Sequence, residues 1–80
     1  MIIKDYQGNL INLDNYDVVQ VIGEQRMDGF VYAVRARKVG SNQLIAEFDT
    51  MHKAQSIVNF IYEKAYSKAG AVDIQLLLEV

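Results

Sequence analysis

The chain has 80 residues, 51% of them hydrophobic, a formal charge of −2, and neither proline nor cysteine. That balance excludes a disordered segment, a disulfide scaffold or thiolate metal site, and a strongly basic nucleic-acid binder, leaving room only for a local basic patch. The length suits one domain, 1–80, whose small unstapled core makes self-association into a homo-oligomer an expectation.

Met1-Ile2-Ile3-Lys4-Asp5 carries charge too early for a signal peptide. No apolar run reaches the length of a membrane span, so the cytoplasm is the expected compartment. Met1–Lys4 and Leu10–Leu13 read as a short hairpin turning at Gln7-Gly8-Asn9, where Gly8 and Asn9 tolerate positive φ. Asp14-Asn15 breaks the pattern before two long alternating runs, Val18–Met27 and Phe30–Val39, separated by Asp28-Gly29. Asp-Gly between such runs predicts a two-residue type I′ hairpin.

That turn sets the register: Met27 faces Phe30, Gln25 faces Tyr32, Gly23 faces Val34 and Val21 faces Ala36. Val19, Val21, Met27, Phe30, Tyr32, Val34 and Ala36 then form a core face. Val18, Gln20, Ile22, Glu24, Arg26, Val31, Ala33, Arg35 and Arg37 form the outer one. A three-residue loop at Gly40-Ser41-Asn42 pairs Ala36 with Ala46, Val34 with Phe48 and Arg35 with Glu47, whereas a two-residue loop at Ser41-Asn42 would drive Glu47 inward.

Residues 50–69 read as a helix, capped by Asp49 or Thr50 and ended at Gly70. Ala54, Ile57, Val58, Ile61 and Ala65 form its apolar stripe, with Met51, Tyr62 and Ala69 on the flank. Val72–Val80 alternates, with Val72, Ile74, Leu76, Leu78 and Val80 inward, and reads as a last strand. The fold class is therefore α+β: a curled antiparallel β-meander packed on one amphipathic helix, in the order β-β-β-β-β-α-β.

Catalytic machinery is hard to assemble from these residues. His52 is the one histidine, placed in the first helical turn with no second imidazole or thiolate to share a metal. Ser41, Thr50, Ser56 and Ser67 have only that histidine as a possible base, and nothing is patterned to orient it. The carboxylates occupy turns and outward strand positions, where burial cannot raise a pKa. Gly23-Glu24 and Gly40-Ser41 lack phosphate-loop spacing. The chain is expected not to be an enzyme and to carry no cofactor or metal.

The candidate binding surface is the outer sheet face. Arg26, Arg35 and Arg37, with Lys38 beside them, are framed by Val18, Ile22 and Val31, and arginines among aliphatic side chains are what interface centres favour. The same face can instead be a solvated one, with Glu24 and Glu47 answering the arginines. Phe60, well off the helix stripe, either lies across a strand edge or marks a second contact, with Tyr66 on the other flank.

The short Gly-Asn hairpin, the long hairpin and the junction Ala46-Glu47-Phe48-Asp49-Thr50 leading to Ala54 resemble small uncharacterised proteins of phages and prophages of Gram-positive bacteria. The resemblance implies a small binder, including inhibitors of host defence, in the host cytoplasm; it brings no catalytic residues. Three readings follow: a binding or inhibitor protein acting on a protein partner, a homo-oligomer that captures an anionic small molecule such as a nucleotide, and a nucleic-acid-associated module.

Overall fold

The period-two stretches become strands in the computed structural model, which describes residues 1–78. In chain order they are β1 (Ile2–Lys4), β2 (Leu10–Asn12), β3 (Val18–Arg26), β4 (Gly29–Lys38) and β5 (Ser41–Phe48). Helix α1 (Met51–Tyr66), β6 (Ala71–Asp73) and a short helix α2 (Ile74–Leu78) follow. The class is α+β, and the order of five strands, a helix and a strand is as expected.

The strands form two three-stranded sheets rather than one curled sheet. One is the antiparallel meander β3-β4-β5; the other is β2-β1-β6, in which β1 runs antiparallel to β2 and parallel to β6. One core serves both. Ile3, Ile11 and Val72 from the small sheet meet Val34, Ala36, Ile45 and Ala46 from the large one, with Ala54, Ile57 and Ile61 of α1 and Ile74 of α2. Val34, Ile57, Ile61 and Ile74, all placed inside by the alternation and the helical stripe, are buried.

The long hairpin keeps the predicted faces but not the predicted register. Arg26 pairs with Gly29, Gln25 with Phe30, Gly23 with Tyr32 and Val21 with Val34, two residues away from the expected pairing. A type I′ turn needs positive φ at both central residues. Here positive φ falls on Gly29, after a reversal at Met27-Asp28, and on neither of those two. A slip of two preserves side-chain parity, so Val19, Val21, Tyr32, Val34 and Ala36 still face the core, while Met27 moves to the exposed turn. Phe30 folds its ring over Gly23, where a Cβ would lie 2.7 Å from Phe30 Cζ. It also meets Tyr32 edge-on at 5.3 Å between ring centres.

The next reversal is at Val39-Gly40, with Gly40 at φ +78°, not at Gly40-Ser41-Asn42. The pairing then jumps between Arg35–Leu44 and Val34–Ala46, leaving Ile45 as the extra residue of a β-bulge. The bulge returns Ala46 and Phe48 to the core face, as predicted, and corrects the position of Ile45, which is buried in the core rather than turned outward. Its carbonyl accepts a hydrogen bond from the Tyr6 N–H at 3.0 Å, so the bulge docks the small sheet onto β5. The β1–β2 loop that carries Tyr6 is wound around buried Asp5, whose carboxylate accepts from the N–H groups of Gln7 and Asn9.

Thr50 caps α1, its hydroxyl accepting from the Lys53 N–H. The helix stops at Tyr66, short of 69, and the left-handed closing position belongs to Lys68 (φ 61°), not to Gly70. Ala69 N–H bonds to Lys64 C=O and Lys68 N–H to Ala65 C=O, the reciprocal pair of a Schellman closure. Met51 and Tyr62, expected on the packed flank, are exposed.

The last segment corrects the sequence reading most. Asp73 Oδ1 accepts from the Leu76 N–H at 3.3 Å, capping α2 and ending β6 after three residues. The period changes from two to three or four there. Leu77 packs on the core where an outward residue was expected, and Leu76 and Leu78 are exposed where inward ones were. The expected inward Val80 lies outside the described residues.

Candidate functional site

The outer face of β3-β4-β5 collects the predicted residues, because strand parity puts Val18, Gln20, Ile22, Glu24 and Arg26 on the same side as Val31, Ala33, Arg35 and Arg37. The observed register redistributes the charge pairs. Glu47 lies opposite Ala33, not Arg35. Arg35 grips Glu24 with two parallel bonds, Nε to Oε2 at 2.6 Å and Nη2 to Oε1 at 3.0 Å. Arg26 Nη2 bridges the Glu24 and Glu47 carboxylates at 2.9 and 2.8 Å. Arg35 Nη1 also donates to the Asn42 side-chain oxygen.

These groups form one row, Glu47–Arg26–Glu24–Arg35, whose central pair is mostly covered, at 18% and 19% side-chain exposure for Arg35 and Glu24. The hydrogen bond from Arg35 holds the Glu24 carboxyl below its ordinary range against an opposing cost of burial; the charges of Arg35 and Arg26 add to it. The same bond to Glu24 raises the Arg35 pKa. Tyr6 joins the group from the β1–β2 loop. Burial raises its phenol pKa first, the charges of Glu47 and Asp5 push the same way, and Arg26 and Arg35 oppose them. Ala33, at the centre of this face, is fully buried. Ile22 and Val31 are half-buried beside it.

Arg37 differs from its neighbours. Among the described residues its polar side-chain partner is neutral: Nη1 donates to the Gln20 amide oxygen at 3.1 Å. It pairs across the sheet with Val18, which is 45% exposed. Asp17, Val18, Gln20, Arg37, Lys38 and Val39 line a shallow open hollow of about 310 Å³ at this end of the sheet. Lys38 leans over the Tyr16 ring, its Nζ 5.6 Å from the ring centre. Val39, which the sequence reading did not single out, stands exposed at the reversal.

Phe60 is not on this face. It is half-buried against the core, beside β6 and α2, in a hollow shared with Lys64, Ala69, Val72 and Leu77, and Lys64 Nζ sits 5.2 Å from its ring centre. It therefore lies across a strand edge, away from the arginines. His52 is exposed on the first turn of α1, and among the described residues no three His, Asp or Glu side chains gather as a metal-ligand set. No helix among them is long and apolar enough to cross a membrane.

Comparison of the chain with family models, curated proteins and solved structures finds no match. The functional reading therefore rests on this geometry.

Proposed function

We propose that this is a small non-catalytic binding protein, of the inhibitor type suggested by its resemblance to phage proteins, that docks a protein partner through the Arg37 end of the outer sheet face. One observation carries the reading. Of three arginines on that face, two are neutralised by Glu24 and Glu47, whereas Arg37 is bonded, among the described residues, to a neutral amide and stands beside exposed Val18 and Val39. A guanidinium fixed by a strand and a side-chain amide is positioned to receive a carboxylate in two parallel bonds. The valines supply the apolar surroundings that make such a contact count.

The test is capture of a partner from a lysate of the source cells, followed by titration of Arg37→Ala, Arg37→Lys and wild type. The expected result is a loss of affinity of about fivefold or more for Arg37→Ala, corresponding to at least about 1 kcal/mol. Arg37→Lys should recover only part, because a lysine cannot reproduce the fork. Unaltered affinity in Arg37→Ala combined with Val18→Ala sinks the proposal. A nucleotide bound at the same guanidinium would instead raise the melting temperature of the folded protein. A nucleic acid there would bind with a steep dependence on salt.

A further inference from the structure

Strand β3 is the free edge of the large sheet, and it is long and undefended. The Arg26–Gly29 pair closes a two-residue reversal, so Arg26 and every second residue before it bond to β4. The N–H and C=O groups of Val19, Val21, Gly23 and Gln25 then point away from the sheet. In the strand order β3-β4-β5, no strand among the described residues lies beyond β3 to receive them. Natural edges are blunted by proline, lysine, short length or a covering element. The other edges here follow that rule: β2 and β6 have three residues each, and β5 receives the Tyr6 N–H. By contrast β3 runs nine residues, and its first six, Val18–Gly23, carry no charge.

The helix flank above that edge is also uncovered. Ile61 and Ala65 border Val18 and Val19 in one apolar hollow, while Lys53, Ser56 and Phe60 border the α2 side. Tyr62 neighbours Ala65 at three residues' spacing and Tyr66 lies four from Tyr62, which puts both tyrosines on the flank of α1 toward β3 rather than toward α2. They stack on each other at 6.4 Å and are 68% and 81% exposed.

We infer that the occupant of this surface is a second copy of the chain, with β3 paired antiparallel to its own copy to give a continuous six-stranded sheet and both α1 helices on one face. The segment is suited to pair with itself. A two-fold axis at Val21 sets Val21 against Val21 of the second copy and Val19 against Gly23, where the valine meets the Phe30 ring that already covers that glycine. It places Glu24 beside Val18 of the second copy, so the two Glu24 carboxylates stand roughly 20 Å apart along the strand and no like charges face each other. The tyrosines then approach their counterparts across the axis. The exposed part of each tyrosine is roughly 100–200 Å², and the four of them with the two paired edges supply the area such a dimer needs toward the total of about 1,200 Å² that stable interfaces bury. The Arg37 guanidinium lies on the outer face, away from the helices; Val18 beside it is shared by both proposals, and Arg37 itself belongs to the partner site alone.

Sedimentation equilibrium with amide hydrogen exchange tests this. Wild type is expected to sediment at twice the 9.1 kDa chain mass. Amides of Val19, Val21 and Gly23 should become more protected as protein concentration rises. The double variant Tyr62→Glu/Tyr66→Glu and the edge variant Ile22→Lys should each raise the dimer dissociation constant at least tenfold, with the far-ultraviolet circular dichroism of the folded chain retained. Arg37→Ala should leave dimerisation unchanged, which separates the two proposals. A monomer at high micromolar concentration overturns the inference, as does a dimer whose β3 amides exchange independently of concentration.

Discussion

Glu24 is the residue on which the outer face depends, and Glu24→Gln isolates its charge at constant shape. The carboxylate accepts two bonds from Arg35 and a third contact from Arg26. A glutamine keeps one acceptor but turns an amide N–H₂ toward a guanidinium, leaving donor against donor around a side chain that is only 18% exposed. Hydrogen bonds to charged groups contribute about 1.5–3 kcal/mol, and exposed pairs about 0–1. A mostly covered but not dry pair falls between, so the loss should be about 1–2 kcal/mol. For a domain of this size that lowers the melting temperature by roughly 5–15 °C. The pH dependence follows from the depressed Glu24 pKa, caused first by the Arg35 hydrogen bond. A carboxyl with a lowered folded pKa stabilises fully above its unfolded pKa, near pH 4 to 5, and loses that contribution as pH falls through the folded value. Urea unfolding at several pH values should therefore show a constant gap between wild type and Glu24→Gln from pH 5 to 7 that closes toward pH 3. Asp49 is the control. Its pKa is also lowered, by the bond from Lys53, but the pair is exposed, so Asp49→Asn should change stability little. A Glu24→Gln protein as stable as wild type, or a gap that ignores pH, would refute the reasoning.

Two further outcomes test the fold. Ile61→Ala removes a nearly buried side chain from the centre of the core and should cost about 2–5 kcal/mol, against a total of roughly 4–12 kcal/mol for eighty residues; a melting point within a few degrees of wild type would mean that the α1 face is misassigned. Lys68→Gly should stabilise by about 0.5–1 kcal/mol in chemical denaturation, because Lys68 holds the left-handed position of the α1 closure where glycine carries no Cβ penalty.

Most of the layering was legible in the sequence because it depends on parity. The alternation from Val18 to Arg37 and the stripe Ala54–Ile57–Ile61 put the right residues inside even though the hairpin turns one step earlier than Asp28-Gly29 suggests. A slip of two residues is invisible to a period-two pattern. The change of charge partner arises in the other hairpin, where the reversal at Val39-Gly40 and the bulge set Glu47 opposite Ala33, and Glu24 rather than Glu47 takes Arg35. The bulge at Ile45 was not legible, since its cause is distant: the bulged carbonyl is satisfied by Tyr6, thirty-nine positions away in sequence. The α2 helix did leave a signal. Asp73 before Ile74, Leu77 and Leu78 is a cap followed by i, i+3, i+4 spacing, but the leucines at 76, 77 and 78 fit a strand equally well when read by alternation alone.

The arginine assignment shows how far composition and spacing go toward a site. Three arginines on one sheet face look equivalent in sequence, and the mixed signs of their neighbours make either a binding surface or a solvated one reasonable. The structure separates them by what each guanidinium touches: Arg35 is committed to Glu24, Arg26 spans Glu24 and Glu47, and Arg37 is left with Gln20. Committed pairs cost desolvation again if they are pulled apart for a ligand, so Arg26 and Arg35 are poor recognition groups however prominent they are in the sequence. Arg37 can take a carboxylate while giving up only a neutral amide bond. The face is thus divided along its length into a closed structural half over Ala33, where Arg26 and Arg35 are paired with Glu24 and Glu47, and an open half where Val18, Val39 and Arg37 leave apolar surface and a guanidinium that, among the described residues, has no carboxylate in ion-pair contact.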